Sequence, residues 1–169
     1  TIATRKVRDS MMNQEKRHHF NMNVTIITDA SFNYQKEVGG FAFHIELGKE
    51  VVQIWGPFNE KLSSPLEAEM KCVLNALFYL REKEVKISTL KIVTDNEFIA
   101  SHMFKKKRRR NEKTNTLVNK MKQYLSHINY NSIEFEHVKA HTDNLESYNK
   151  YINDWCDKMS KKGCRSTTL

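Results

Sequence analysis

Three strand-like stretches crowd into the first third of the chain and a long helical period follows them, which excludes most folds at once. Residues 24–28 ("VTIIT") are β-branched throughout, "GFAFHIEL" alternates, and "EVVQIWGPF" runs to Gly56-Pro57. Their close spacing predicts an antiparallel meander, with the first turn expected at Gly39-Gly40. Ser64-Pro65 then reads as a helix cap with proline in the first turn. Leu66, Met70, Val73, Leu74, Leu77 and Leu80 recur at helical spacing, so a helix is expected from Pro65 to about Lys83. "STLKIVTD" returns to strand character and "NEFIASHMF" continues as a short helix. "TLVNKMKQYLSHI" is a further amphipathic helix, "SIEFEHV" a fifth strand, and "YINDWCDKMSKK" a last helix expected to end before Gly163. The order β-β-β-α-β-α-α-β-α predicts an α/β fold. Its five-stranded mixed sheet has three antiparallel strands, then two joined by helical crossovers, with helices on its faces.

At 169 residues and 39% hydrophobic content the chain suits one domain with a true core. The division expected is a basic tail or extension at 1–22, the domain proper at 23–163 and a short tail at 164–169. Apolar runs are too short to span a membrane, and no secretory signal is seen. The chain opens on Thr1 rather than Met, as expected of one processed, trimmed or cut from something longer. Three cysteines, an odd number without metal-type spacing, favour an intracellular reducing compartment over a disulfide framework. A net charge of +8 points to a polyanionic partner, nucleic acid before anionic membrane. The charge is concentrated in Lys105, Lys106, Lys107, Arg108, Arg109 and Arg110, six cations with no acid among them. Such a run repels itself and is expected in an exposed loop or frayed helix end; a nuclear address and a plain solvated loop are the competing readings.

Asp29 is expected to close the first strand and Asp95 the fourth. If those strands are parallel neighbours, both carboxylates emerge at one sheet edge, where ligands of such sheets gather. Glu69 shares a helical stripe with Val73 and Ala76, facing the buried side, an odd place for an unpartnered acid. Asp157 shares a stripe with Asn153 and Ser160, beside the apolar stripe of Ile152, Trp155, Cys156 and Met159. Taken singly, each acid reads as a turn former or solvated residue. Taken together, four carboxylates would raise one another's pKa, and a divalent cation resolves that. Mg²⁺ takes oxygen ligands, and a pair of ions roughly 4 Å apart can stabilise both attacking and leaving oxygens of a phosphodiester.

From Val24 to about Lys162 the sequence resembles the ribonuclease H family, type 1, including reverse-transcriptase-associated and plant-type members. "TDAS" with Gly39-Gly40, "SSPLEAEMKCVLNAL", "KIVTDNEF", "HVKAHT" and "NDWCDKM" are similar to its successive motifs, in the right order. The "AE" step assigns the glutamate role to Glu69 rather than Glu67. The resemblance implies hydrolysis of the RNA strand of an RNA–DNA hybrid, leaving a 5′-phosphate and a 3′-hydroxyl. Asp29, Glu69, Asp95 and Asp157 would hold two Mg²⁺, with Mn²⁺ able to substitute, and His141 would assist product release or proton transfer. It further implies nucleic-acid contacts at Ser31, Ser64 and Asn96 and at the cationic run of residues 105–110. A larger polymerase or viral protein is among the contexts implied. A catalytically weak binding or scaffolding domain on the same fold, and a DNA-cleaving polynucleotidyl transferase, are the alternatives.

The sequence departs from the family pattern in four places. Pro65 and Leu66 stand where cellular members often carry two asparagines, and Glu97 stands where many have glutamine. The interval from His141 to Asp157, 16 residues, is longer than usual, and the cationic run lacks the tryptophan often found beside it.

Overall fold

The computed structural model describes residues 22–105, 111–139 and 148–169. Strands β1 (Met22–Asn33), β2 (Val38–Leu47) and β3 (Glu50–Pro57) form the meander. Helix α1 (Pro65–Glu82) leads to β4 (Lys86–Thr94), a π-helical turn (Phe98–His102), α2 (Glu112–Ser126), β5 (Asn129–His137) and α3 (Tyr148–Arg165). The sheet order is β3-β2-β1-β4-β5, antiparallel from β3 to β1 and parallel from β1 to β5. The mixed sheet expected from the sequence is the one found.

Alternation along the strands divides the core in two. Val24 and Ile26 of β1 point with Leu90 and Ile92 of β4 into the larger cluster, under α1 and α2. Ile27, Ala42 and Val93 point to the other face, where Ile152 and Cys156 of α3 cover them. Trp155, on the apolar stripe of α3, packs against that second cluster, half-buried. All three cysteines are free thiols and buried. Among the described residues, no helix is long and apolar enough to cross a membrane.

Three expectations are corrected, each for a tertiary reason. The first turn falls at residues 34–37, with Glu37 at φ 55°, rather than at Gly39-Gly40. Both glycines lie inside β2, where any side chain would collide: a Cβ on Gly40 would strike the Ser160 carbonyl and Cys164 amide of α3. The last helix runs through Gly163 to Arg165 instead of stopping before it. Gly163 presses directly onto the Gly56 backbone of β3, so its missing side chain permits close packing rather than ending the helix. Finally, Asp29 does not close β1, which continues to Asn33 because β2 pairs with it that far. What ends near Asp29 is the other neighbour: β4 pairs with β1 only as far as Ile27↔Val93.

Candidate active site: a carboxylate cluster where β4 ends

Beyond Ile27 β4 no longer pairs with β1, and the Ala30 amide turns to carboxylates instead. It donates to Asp29 Oδ1 at 2.9 Å and to Glu69 Oε1 at 3.3 Å. Asp29 is reached by two routes, β1 itself and a thiol below it: Cys72, three residues after Glu69, donates to the Asp29 carbonyl oxygen at 3.3 Å. Asp95 is the first residue beyond β4, in register with Asp29 by extension of the parallel ladder. The β5 end is tied there too, by His137 Nε2 at 3.0 Å from the Asp95 carbonyl oxygen.

Glu69 arrives from α1, whose start is well defined. Ser64 Oγ accepts from the Glu67 amide at 3.1 Å, and Pro65 begins the first turn. At the start of the second turn, Glu69 faces the sheet and is 9% exposed. One oxygen each of Asp29, Glu69 and Asp95 lie within 4.8 Å of one another. Asp157 is outside that group. On α3 its Oδ2 is paired with Lys161 Nζ at 2.9 Å, although its charge still reaches Asp29.

The electrostatics follow from burial without cations. Desolvation, then the Asp95 charge and more weakly that of Asp157, push the Asp29 carboxyl up to about 8, against the restraint of its bonds to Glu69 and the Ala30 amide. Burial first, and then the Asp29 and Asp95 charges, hold Glu69 well above the usual carboxylate range. Glu69 Oε2 is buried and has no hydrogen-bond partner among the described residues. An orphaned oxygen in a set of carboxylates fits a hard divalent cation, which takes oxygen ligands and would offset the repulsion.

The other sequence candidates are distributed around this cluster. Ser31 follows two residues after Asp29 on β1, half-buried. Ser64 is the cap of α1, and Asn96 Oδ1 caps the π-helical turn by accepting from the Ile99 amide at 3.0 Å. Glu97, at the start of that turn, is exposed. Lys105 is described and exposed. His141, residues 106–110 of the cationic run, and residues 1–21 of the basic extension lie outside the described residues.

Sequence reasoning passed over Glu67. It is 3% exposed and bound at both oxygens: Oε2 to Lys113 Nζ at 2.6 Å and to Ser63 Oγ at 2.7 Å, Oε1 to Lys71 Nζ at 3.2 Å. Lys71 also meets Glu60 at 2.6 Å. The Lys71 spacing, four residues on, was a visible signal. The pairing with Lys113 was not, because it depends on how α2 docks.

Comparison with known proteins agrees with this architecture. A family model described as RNase H matches residues 21–165. Among curated protein sequences none matches. An N-terminal RNase H domain from Mycobacterium tuberculosis superposes with a TM-score of 0.67 at 11% identity, covering 86% of this chain and 96% of that one. RNase H1 from the archaeon Halobacterium salinarum gives 0.66 at 10% identity, covering 86% and 99%. The protease-reverse transcriptase of prototype foamy virus gives 0.66 at 17% identity, covering 88% of this chain and 21% of that chain. With the family model spanning nearly the whole described domain, on a sheet of matching topology, the chain belongs to the RNase H family.

Proposed function

We propose that this protein is a divalent-metal-dependent ribonuclease H that cuts the RNA strand of RNA–DNA hybrids, leaving 5′-phosphate and 3′-hydroxyl ends. The observation carrying the reading is the group formed by Asp29, Glu69 and Asp95: three carboxylates within 4.8 Å of one another, two of them buried, with burial and neighbouring negative charge pushing Asp29 and Glu69 up. Support comes from family membership and from a solved relative, LC11-RNase H1 in complex with an RNA/DNA hybrid, which superposes with a TM-score of 0.66 at 14% identity.

In this reading Asp29, Glu69 and Asp95 hold two Mg²⁺ or Mn²⁺, with Asp157 completing the set from α3. When bound, such ions lower the pKa of water and neutralise charge on the leaving oxygen. The chain's own part is placement. The Ala30 amide fixes Asp29 and Glu69 relative to each other, and Cys72 holds the β1 backbone beneath them. His141 assists proton transfer or product release. Ser31, Ser64 and Asn96 contact the substrate beside the carboxylates. The cations at 105–110 bind phosphates and so add sequence-blind, salt-dependent affinity. The foamy virus neighbour, in which the matching region is 21% of the chain, supports the same fold serving inside a larger polymerase.

The test is cleavage of a strand-labelled hybrid beside single-stranded RNA, duplex RNA and duplex DNA, each with Mg²⁺, Mn²⁺ or EDTA. Cutting confined to the RNA of the hybrid and lost in EDTA is expected. Cutting of duplex DNA would assign the domain to a different polynucleotidyl transferase chemistry, and binding without cutting would make it a binding module.

A further inference from the structure

Past the carboxylate cluster, β1 and α3 run on in the same direction to a second place of unbalanced charge, this one positive. Asn153 of α3 meets the Thr28 carbonyl of β1, and further along Cys164 meets Val38, the strand partner of Asn33. Asn33 lies four residues beyond Asp29, about 13 Å at strand spacing. Arg165 lies eight beyond Asp157, about 12 Å at helical rise. There the turn at 34–37, Lys61 and the end of α3 border an open cavity of about 490 Å³. Its lining includes Asn33, Lys36, Glu37, Lys61, Arg165 and Thr167, three cations to one acid. Among the described residues, none of these three cations is in an ion pair. The segments that carry them are tied to one another. Lys61 Nζ donates to the Lys36 carbonyl oxygen at 2.8 Å, and the Leu62 amide donates to the Glu37 carbonyl oxygen at 2.8 Å. The buried Cys164 thiol donates to the Val38 carbonyl oxygen at 3.7 Å, holding the end of α3 against the start of β2.

We propose that this cavity is a phosphate-binding site for the substrate: Lys36, Lys61 and Arg165 hold one backbone phosphate of the hybrid, a few nucleotides from the one being cut. The inference rests on the ribonuclease H reading, which lays the hybrid's backbone across the carboxylates. Cations gathered without a counter-charge repel one another, and a phosphate relieves that as a metal ion relieves the carboxylates. The chemistry of the set suits it. Lys61 keeps two N–H groups beyond the one given to Lys36, and the Arg165 guanidinium offers a fork to two phosphate oxygens. At about 3.4 Å of rise per nucleotide, a reach of about 12–13 Å corresponds to roughly four nucleotides of one strand. A phosphate held that far from the reacting bond is bound equally before and during the chemical step. The site therefore contributes affinity and leaves turnover alone.

The experiment uses a hybrid whose ribonucleotides are confined to a short central run, so that the position of the cut is fixed. Binding is measured in EDTA, and KM and kcat in Mg²⁺. Combining Lys36→Gln, Lys61→Gln and Arg165→Gln is expected to weaken binding and raise KM by about 3- to 10-fold, with kcat within about twofold of wild type. The slope of log affinity against log salt should become shallower by about 1, the value for one phosphate. Glu37→Gln, which removes the acid of the cavity, should move affinity the other way. A single neutral methylphosphonate linkage is then scanned outward from the cut on each strand. Placed roughly four nucleotides away on one strand, it should weaken wild type about as much as the triple substitution does, and weaken the triple variant no further. All four side chains are exposed, and Lys36→Gln alone carries the same scan if the triple variant folds poorly. Unchanged affinity in the variants, or equal sensitivity of wild type and variant to every neutral linkage, overturns the inference and leaves the ribonuclease H reading standing. Failure of the wild-type protein to bind and cut the hybrid overturns both.

Discussion

Glu67 and Glu69 sit two residues apart on one helix, both buried, and the protein treats them in opposite ways. Around Glu67 it supplies its own counter-charges, Lys113 and Lys71, with Ser63 adding a hydrogen bond. Burial alone would push that carboxyl up; these partners outweigh it and hold it at about 2. Around Glu69 the added charges are negative, Asp29 and Asp95, and its pKa rises. The first carboxylate is a finished structural joint. The second is an incomplete one, whose burial is tolerable only with a proton or a cation from outside. Burial by itself therefore says little about function, and the sign of what surrounds a buried acid says much more.

The sharpest way to break this contrast is to remove a ligand from the incomplete side. Asp95→Asn should reduce hybrid cutting by about 100- to 1000-fold, the loss expected when several kcal/mol of transition-state stabilisation disappears, while the circular dichroism spectrum is unchanged. Retention of wild-type turnover would remove Asp95 from the metal assignment.

The two sites should also respond to pH with opposite signs. Asp29 has a folded-state pKa of about 8 against 3.8 in the unfolded chain, so the folded state holds the extra proton between those values. In EDTA its contribution to stability is full below about pH 4 and is lost as pH rises towards 8. Scanning calorimetry should show the metal-free Tm falling across that window, Asp29→Asn flattening the fall, and Mg²⁺ restoring more stability at pH 8 than at pH 5. Glu67 runs the other way: its contribution is full above 4.5, the unfolded value, and is lost as pH falls towards 2. Glu67→Ala should cost about 1–2 kcal/mol by denaturant titration at pH 7. The cost is moderate because Lys71 and Lys113 are partly exposed and return to water. The smallest effect expected is on salt dependence: neutralising residues 105–110 should flatten the slope of hybrid affinity against salt, and an unchanged slope would place the phosphate contacts elsewhere.

Much of this was legible in the sequence because it depends on local pattern. β-branched runs and the 3.6-residue apolar period placed all five strands and the three long helices, and the Ser64-Pro65 cap fixed the start of α1. What misled was glycine. Gly39-Gly40 and Gly163 resemble punctuation, yet they lie within β2 and α3, with Gly40 and Gly163 as contact points between helix and sheet, which no local rule distinguishes from a turn. At the site, strand ends and helix register pointed to Asp29, Glu69, Asp95 and Asp157 as a set, of which the first three lie within 4.8 Å of one another. The reason Asp29 belongs there is that β4 stops pairing, a tertiary fact, and not that β1 ends. Glu67 was missed because its main partner lies 46 residues away, on a helix whose docking the sequence does not announce.

The most direct measurement compares the two glutamates in one assay: Mg²⁺-dependent cutting of a strand-labelled RNA–DNA hybrid by wild type, Glu69→Gln and Glu67→Gln. Turnover should collapse in Glu69→Gln at saturating hybrid, while Glu67→Gln keeps its turnover. Wild-type turnover in Glu69→Gln would contradict the account.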